Sequence, residues 1–300
     1  MNTLVIRGNV FLFITAIIWG TTFVAQRVGM DHIGPFTFNF IRFSLGALFL
    51  APFAFRAYRT ERRSSIKLPG GKWLHLWGGS LMGFVLCVGI NLQQIGLVYT
   101  TAGKAGFITG IYVILVPIIG VLFGLRIGWG VWVGAPLGAV GLYFMSITES
   151  FNLSPGDGWI VACSFAWAGH ILLVGWLSPK MNSFILAFVQ AFVCAFLSFI
   201  AAVIAEEMIF SSILSTWFPL IYSGIITTGI GFTLQVVGQK YSPPAHAAII
   251  MQLETVFAAL SGWLILGEVM GTRSVMGAGL MLAGMLFAQF RVFRGNDLRP

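Results

Sequence analysis

The sequence predicts an all-α membrane protein whose ten transmembrane helices form two five-helix repeats of inverted topology. Three observations predict it. Apolar runs of about 20 residues, long enough to cross a hydrocarbon layer about 30 Å thick as helices, recur along the whole chain. The basic residues gather on one side of those runs once the N-terminus is placed inside. The two halves of the chain match one another at constant offsets.

Composition removes the other classes. With 58% hydrophobic and 9% charged residues among 300, and a mean hydropathy of +0.92, a water-soluble core is excluded. The runs do not alternate polar and apolar residues, so strands of a membrane barrel are not expected. The net charge of +8 sits mostly between apolar runs, where lipid headgroups and topology explain it better than nucleic acid. Cys87, Cys163 and Cys194 are odd in number, lie inside apolar runs and lack metal-ligand spacing, so they read as packing residues. Neither metal nor cofactor is expected.

The first run, from Gly8 to Ala25, follows Arg7 and lacks a small-x-small cleavage site, so it reads as the first membrane helix and not as a signal peptide. Breaks at Gly, Pro and charged residues then give spans at about 8–29, 35–56, 73–98, 101–125, 128–147, 157–178, 182–205, 214–239, 243–267 and 273–293. With the N-terminus inside, 13 of the 17 Lys and Arg fall on the inner side. Arg27, Lys104 and Arg273 fall outside, and Arg42 lies within the second span. Both termini are therefore expected in the cytoplasm.

The segment from Leu92, LQQIGLVYTTAGKAGFITG, aligns with LQVVGQKYSPPAHAAIIMQ from Leu234 at an offset of 142. Trp19 aligns with Trp167, and Arg42 with Gln190, at an offset of 148. Two units are expected, residues 1–150 and 151–300, and because five is odd the second is inverted. Inverted repeats are a device of transporters that hold substrate near the midplane.

WGTTFVAQRVG (19–29), TTAGKAGFITGIYVILVP (100–117) and AAIIMQLETVFAALSGWLILGE (247–268) make the chain resemble the drug/metabolite transporter superfamily in its ten-helix EamA-type branch, over roughly 8–293. Thr255 stands where that family commonly has Pro, which bears on how strongly the ninth helix kinks. GLR (124–126) replaces the first half's usual Leu-Gly-Glu. The resemblance implies solute export or exchange across the bacterial inner membrane, with amino acids and related metabolites as frequent substrates.

Within the fourth span, Gly106, Gly110, Gly120 and Gly124 fall within about 80° of one another on a helix, which predicts a stripe for close packing. Glu254 is an acid inside an apolar run, so it faces either the protein interior or a wet cavity. It is read as a proton-coupling or amine-binding acid, or as an interhelical hydrogen-bonding residue. Glu268 reads as a solvated helix end. The resemblance implies that the first and sixth helices line the central cavity, which makes Trp19, Phe23 and Trp167 candidate walls able to stack an aromatic ring or a cation. Facing lipid is the alternative. His170 is a candidate for the same cavity or a satisfied interhelical partner. Arg42 needs a partner and would hold a substrate carboxylate, or else serves gating or structural pairing. Asn91, Gln94, Gln235 and Gln252, with Gln93, supply neutral hydrogen-bonding capacity suited to a polar metabolite. Lys104 and His246 are expected at the two cavity mouths.

The expected function is a metabolite exporter working by alternating access, its partners a small-molecule substrate and the lipid bilayer. A multidrug or organic-cation exporter driven by proton antiport is the alternative. An intramembrane enzyme is disfavoured because HExxH, GxSxG, paired catalytic aspartates and a phosphate loop are all missing from the sequence.

Overall fold

The computed structural model describes residues 3–30, 32–63, 71–99, 102–146, 154–266 and 271–289, the side chains of 23, 24, 27, 71, 72, 102–104 and 266 aside. Among the described residues there are helices and no strands. The chain runs through α1 (Thr3–Met30), α2 (Pro35–Arg63), α3 (Gly71–Tyr99), α4 (Ala102–Gly110), α5 (Tyr112–Leu122), α6 (Trp129–Ser146), α7 (Asp157–Leu177) and α8 (Ser183–Ala205). It continues through the short α9 (Phe210–Ser215) and α10 (Trp217–Ile221), a π-helical stretch over Tyr222–Gly231, α11 (Phe232–Gln239), α12 (Pro244–Met251), α13 (Glu254–Leu266) and α14 (Thr272–Gln289).

Eight stretches are long and apolar enough to cross a membrane, and their outward-facing Leu, Ile, Val, Phe and Trp side chains are exposed as a lipid-facing surface requires. The remaining long helices, α6 and α14, are 18 residues each and hold four and three glycines. Those glycines have a packing use. A Cβ on Gly134 would strike the carbonyl oxygen of Gly284, and one on Gly141 would lie 2.5 Å from the carbonyl oxygen of Gly277. The two helices therefore run antiparallel with backbone against backbone, the contact that small residues permit where lipid offers no hydrophobic drive.

Elsewhere α2 packs along α8, α3 lies against both α7 and α8, and α1 is held by α11 and α13. Elements from the two ends of the sequence thus interleave.

Two spans are broken. Between α4 and α5 the N–H of Ile111 turns to the carbonyl of Ile108, three residues back, at 3.2 Å. Within α5, Pro117 has no N–H to give to the carbonyl of Val113. Between α12 and α13 the N–H of Leu253 likewise bonds Ile250 at 3.2 Å and that of Thr255 bonds Gln252 at 3.2 Å. The ninth span therefore breaks even with Thr255 where the related family has proline. The breaks fall at Ile111 and Leu253, 142 residues apart, the offset found in the sequence.

These breaks undo the glycine stripe expected in the fourth span. Gly110 and Gly120 are covered, by Leu142 and by Leu125 with Leu172. A Cβ on Gly106 would meet nothing within 4 Å, and Gly124 lies past the end of α5 with φ +81°. An ideal helix over the whole span does not exist, so angles counted along one do not describe a face.

Candidate functional site

A cavity lies where α1, α2, α3, α4, α5, α7, the π-helical stretch, α11 and α13 converge. One wall is aromatic. The rings of Trp19 and Trp167 sit 5.9 Å apart, and Phe232 lies 4.9 Å from Trp19 and 6.4 Å from Trp167, nearly parallel to the latter at 7°. Both tryptophans are 8% exposed, and their indole Nε1–H groups have no acceptor.

Arg42, 2% exposed on α2, reaches the cavity with its guanidinium 5.5 Å and 5.1 Å from the ring centroids of Phe38 and Phe43. Its Nε has no hydrogen-bond partner, and among the described residues no carboxylate lies within ion-pair range. Ring faces attract the cation but accept no N–H in the plane of the fork, so its donors remain available. Glu254, the first residue of α13, lines the same cavity without pairing to Arg42. Tyr112, the first residue of α5, is 3% exposed and its hydroxyl has no partner. Buried polar groups are almost always satisfied. Four unsatisfied donors around one cavity, from Trp19, Trp167, Tyr112 and Arg42, mark the place where a ligand supplies acceptors.

Other polar wall groups are spent on structure. Thr22 donates to the carbonyl of Ile18 at 2.7 Å and so accepts from Thr227 at 2.5 Å, tying α1 to the π-helical stretch. Gln93 donates to Thr109 at 3.3 Å. π-helical turns leave the ordinary hydrogen-bond ladder and recur at functional sites, as this one does.

Several wall residues pair at the offsets read in the sequence. Trp19 and Trp167 are 148 apart, while Ile90 with Phe232 and Tyr112 with Glu254 are each 142 apart. The pairing fails at the charged position. Positions 148 residues beyond Thr22 and Arg42 hold His170 and Gln190, which bond each other at 3.1 Å and are not in the wall.

Among the residues proposed from sequence, Trp19, Arg42, Gln93, Trp167 and Glu254 are brought together. Five others are not wall residues: Asn91, His170 and Gln235 bond to neighbours, while Gln94, with neither amide atom partnered, and Gln252 are buried away from the wall. Asn91 donates to the carbonyl of Cys87 at 2.8 Å and accepts from Asn39 at 2.9 Å. His170 is held by Gln190 and stands edge-on to Trp167 at 5.8 Å, behind the aromatic wall. Gln235 donates to Gln239 at 3.2 Å, Gln94 is 1% exposed, and Gln252 lies 1% exposed under Gly138. His246 is half-buried in the first turn of α12, outside the wall. The side chains of Phe23 and Lys104, and the whole of Glu268, lie outside the described residues. Tyr112 and Phe232 were missed because each reads as one more apolar residue in an apolar run. The offset of 142 from Glu254 would have found Tyr112.

The model of the EamA-like transporter family matches residues 6–147 and again residues 154–289. The chain belongs to the EamA-like transporter family. It is a transporter and not an enzyme. An uncharacterized transporter of Archaeoglobus fulgidus is 32% identical over 286 residues, 94% of this chain and 85% of that protein. The uncharacterized transporter YoaV of Bacillus subtilis is 24% identical over 295 residues, 93% of this chain and 95% of that protein. A solved crystal structure superposes with a TM-score of 0.75 at 18% identity, covering 94% of this chain and 98% of the other, which is a likeness of fold. As an EamA-like transporter the chain has a small-molecule substrate and crosses a membrane several times.

Proposed function

We propose that this EamA-like transporter exports small metabolites bearing both a carboxylate and an amine, amino acids among them, by alternating access around the central cavity. One observation carries the reading: Arg42 and Glu254 line the same aromatic cavity and do not pair with each other. A zwitterion answers both charges at once, its carboxylate on the guanidinium and its ammonium on Glu254, with Trp19, Trp167 and Phe232 against its side chain. Tyr112 sits at the position equivalent to Glu254 and offers its free hydroxyl to the same ligand. A bare organic cation would leave Arg42 unanswered and beside it, which disfavours the drug-exporter alternative.

The same reading takes the chain as ten spans in two inverted units, 1–150 and 151–300. It is supported by the two successive matches to one family model, by helix breaks 142 residues apart, and by the antiparallel glycine contact of α6 with α14. Interrupted helices at corresponding positions of two halves are where such transporters bind substrate. Both termini are placed in the cytoplasm of a bacterial inner membrane, on the side that collects 13 of the 17 Lys and Arg.

The test is counterflow in proteoliposomes loaded with unlabelled amino acids, polyamines or cationic dyes, following uptake of each labelled counterpart. Accumulation of a neutral or aromatic amino acid is the expected result. Accumulation of cations alone overturns the reading.

A further inference from the structure

We propose that the outward face of the last turns of α2 binds an anionic phospholipid, its phosphate held by Arg56, Arg59 and Arg63 and its chains lying along Leu48 and Phe55. The site is remote from the central cavity and stands apart from the reading of the substrate.

α2 is 29 residues long, about 44 Å at 1.5 Å per residue, and so overshoots a hydrocarbon layer about 30 Å thick by more than two turns. Its start is fixed at one end of the bundle by Glu206, whose carboxylate accepts the N–H groups of Phe36 and Thr37, each at 2.8 Å. Its last turns reach the other end, where Oε2 of Glu61 lies 3.5 Å from Nε2 of His75 on α3. Glu61 therefore marks the side of α2 that faces the bundle. At about 100° per residue, Arg56, Arg59 and Arg63 fall within about 60° of one another on the side opposite Glu61. All three are exposed, and the exposed Arg62 flanks them.

The same outward side is apolar one level deeper. Leu48 and Phe55 are exposed there, where a membrane places acyl chains. The guanidinium of Arg59 stands 4.2 Å from the centroid of the Phe55 ring, joining the two levels. Stacking on a ring leaves the N–H fork free in its own plane, ready for two phosphate oxygens. Trp73 and Trp77 are exposed at the start of the neighbouring α3, as aromatic residues are where hydrocarbon meets headgroups.

Charge selects the lipid. Among the described residues, no carboxylate lies within ion-pair range of Arg56, Arg59 or Arg63. Asp157 begins α7, and Glu206 and Glu207 follow α8, all toward the opposite end of the bundle. A zwitterionic lipid brings its own cation to its phosphate. An anionic lipid brings none and answers the unpaired guanidinia, and basic clusters just beyond a membrane span attract such lipids.

The experiment presents the full chain in detergent with equal amounts of dioleoyl phosphatidylglycerol and dioleoyl phosphatidylcholine, and counts the lipids retained by native mass spectrometry. The parent is expected to retain phosphatidylglycerol in preference by at least about fivefold, the factor that about 1 kcal/mol from a single basic residue gives. Replacing Arg56, Arg59 and Arg63 together by Gln brings retention toward parity. Replacing Arg7, Lys180 and Lys240 by Gln removes the same charge from other helices at the same end of the bundle and leaves the preference in place. Inorganic phosphate, which has no chains to lay on Leu48 and Phe55, does not displace the lipid. A parent without preference, equal losses in the two triple variants, or displacement by inorganic phosphate overturns the site.

Discussion

Tyr112 and Glu254 stand 142 residues apart in sequence, each is the first residue after a break in its span, and both line the central cavity. A broken helix frees backbone groups that lipid cannot satisfy, and such breaks are tolerated where they are buried in protein or line a cavity. The fold repeats the backbone device and varies the chemistry, placing a phenol at one copy and a carboxylate at the other. A binding site that needs one acid and several donors is obtained from two similar halves in this way.

Glu254 is the acid in that wall, and its replacement separates coupling from binding. Glu254→Gln keeps the side chain's shape and removes its charge. Transport driven by a pH gradient is expected to stop, while exchange of labelled for unlabelled substrate persists with weakened affinity. Equal gradient-driven rates in variant and parent would remove Glu254 from proton coupling.

Arg42 carries a charge that the described residues leave unpaired, so its removal has opposite effects on stability and transport. A buried ion without a partner costs stability, and Arg42→Gln relieves that cost while supplying the residue found at position 190. The variant is expected to melt at or above the parent's temperature. Its apparent substrate affinity falls at least about tenfold, as loss of a hydrogen bond to a charged group worth about 1.5–3 kcal/mol implies. A lower melting temperature with unchanged affinity would show that Arg42 is structural.

The aromatic wall is tested by removing a donor without removing a ring. Trp19→Phe and Trp167→Phe delete indole N–H groups that have no acceptor in the protein, so folding is expected to be little changed. Apparent affinity is expected to fall by about two- to tenfold for each, the range spanned by a neutral hydrogen bond of about 0.5–1.5 kcal/mol. Unchanged affinity in both variants counts against these indoles as ligand donors.

The wall residues found from sequence, Trp19, Arg42, Gln93, Trp167 and Glu254, are ones whose chemistry is out of place in an apolar helix or repeats across the halves. That signal is strong for charge, because a charge in lipid demands a reason. It is weak for amides. Asn91 and Gln235 look equally out of place, yet each finds its partner within four residues on its own helix, at Cys87 and Gln239. No sequence pattern distinguishes an amide satisfied by its own helix from one that faces a ligand. Tyr112 and Phe232 failed in the other direction, their burial being as expected of apolar residues whether or not a cavity adjoins them. The glycine stripe of the fourth span assumed a straight helix. Glycines in α6 and α14, where sequence reading assigned them no role, do bring helices together.

Those glycines give the last prediction. Gly134 meets the carbonyl of Gly284 and Gly141 that of Gly277, so a Cβ at any of the four has a backbone oxygen in front of it that no side-chain rotation clears. Relief requires the two helices to separate, which loosens the whole contact. Gly134→Ala and Gly277→Ala are each expected to lower stability by about 1–3 kcal/mol, the usual cost of overpacking. Gly279→Ala is the internal comparison: it lies on α14 as well, nothing stands within 4 Å of its Cβ, and alanine in a helix gains roughly 0.5–1 kcal/mol over glycine. Thermal melting in one detergent is expected to rank Gly279→Ala at or above the parent and the other two below it. Because Gly134 and Gly277 occupy mirrored places in the contact, their losses should be similar. If all three variants melt together, α6 and α14 are not held by close backbone approach.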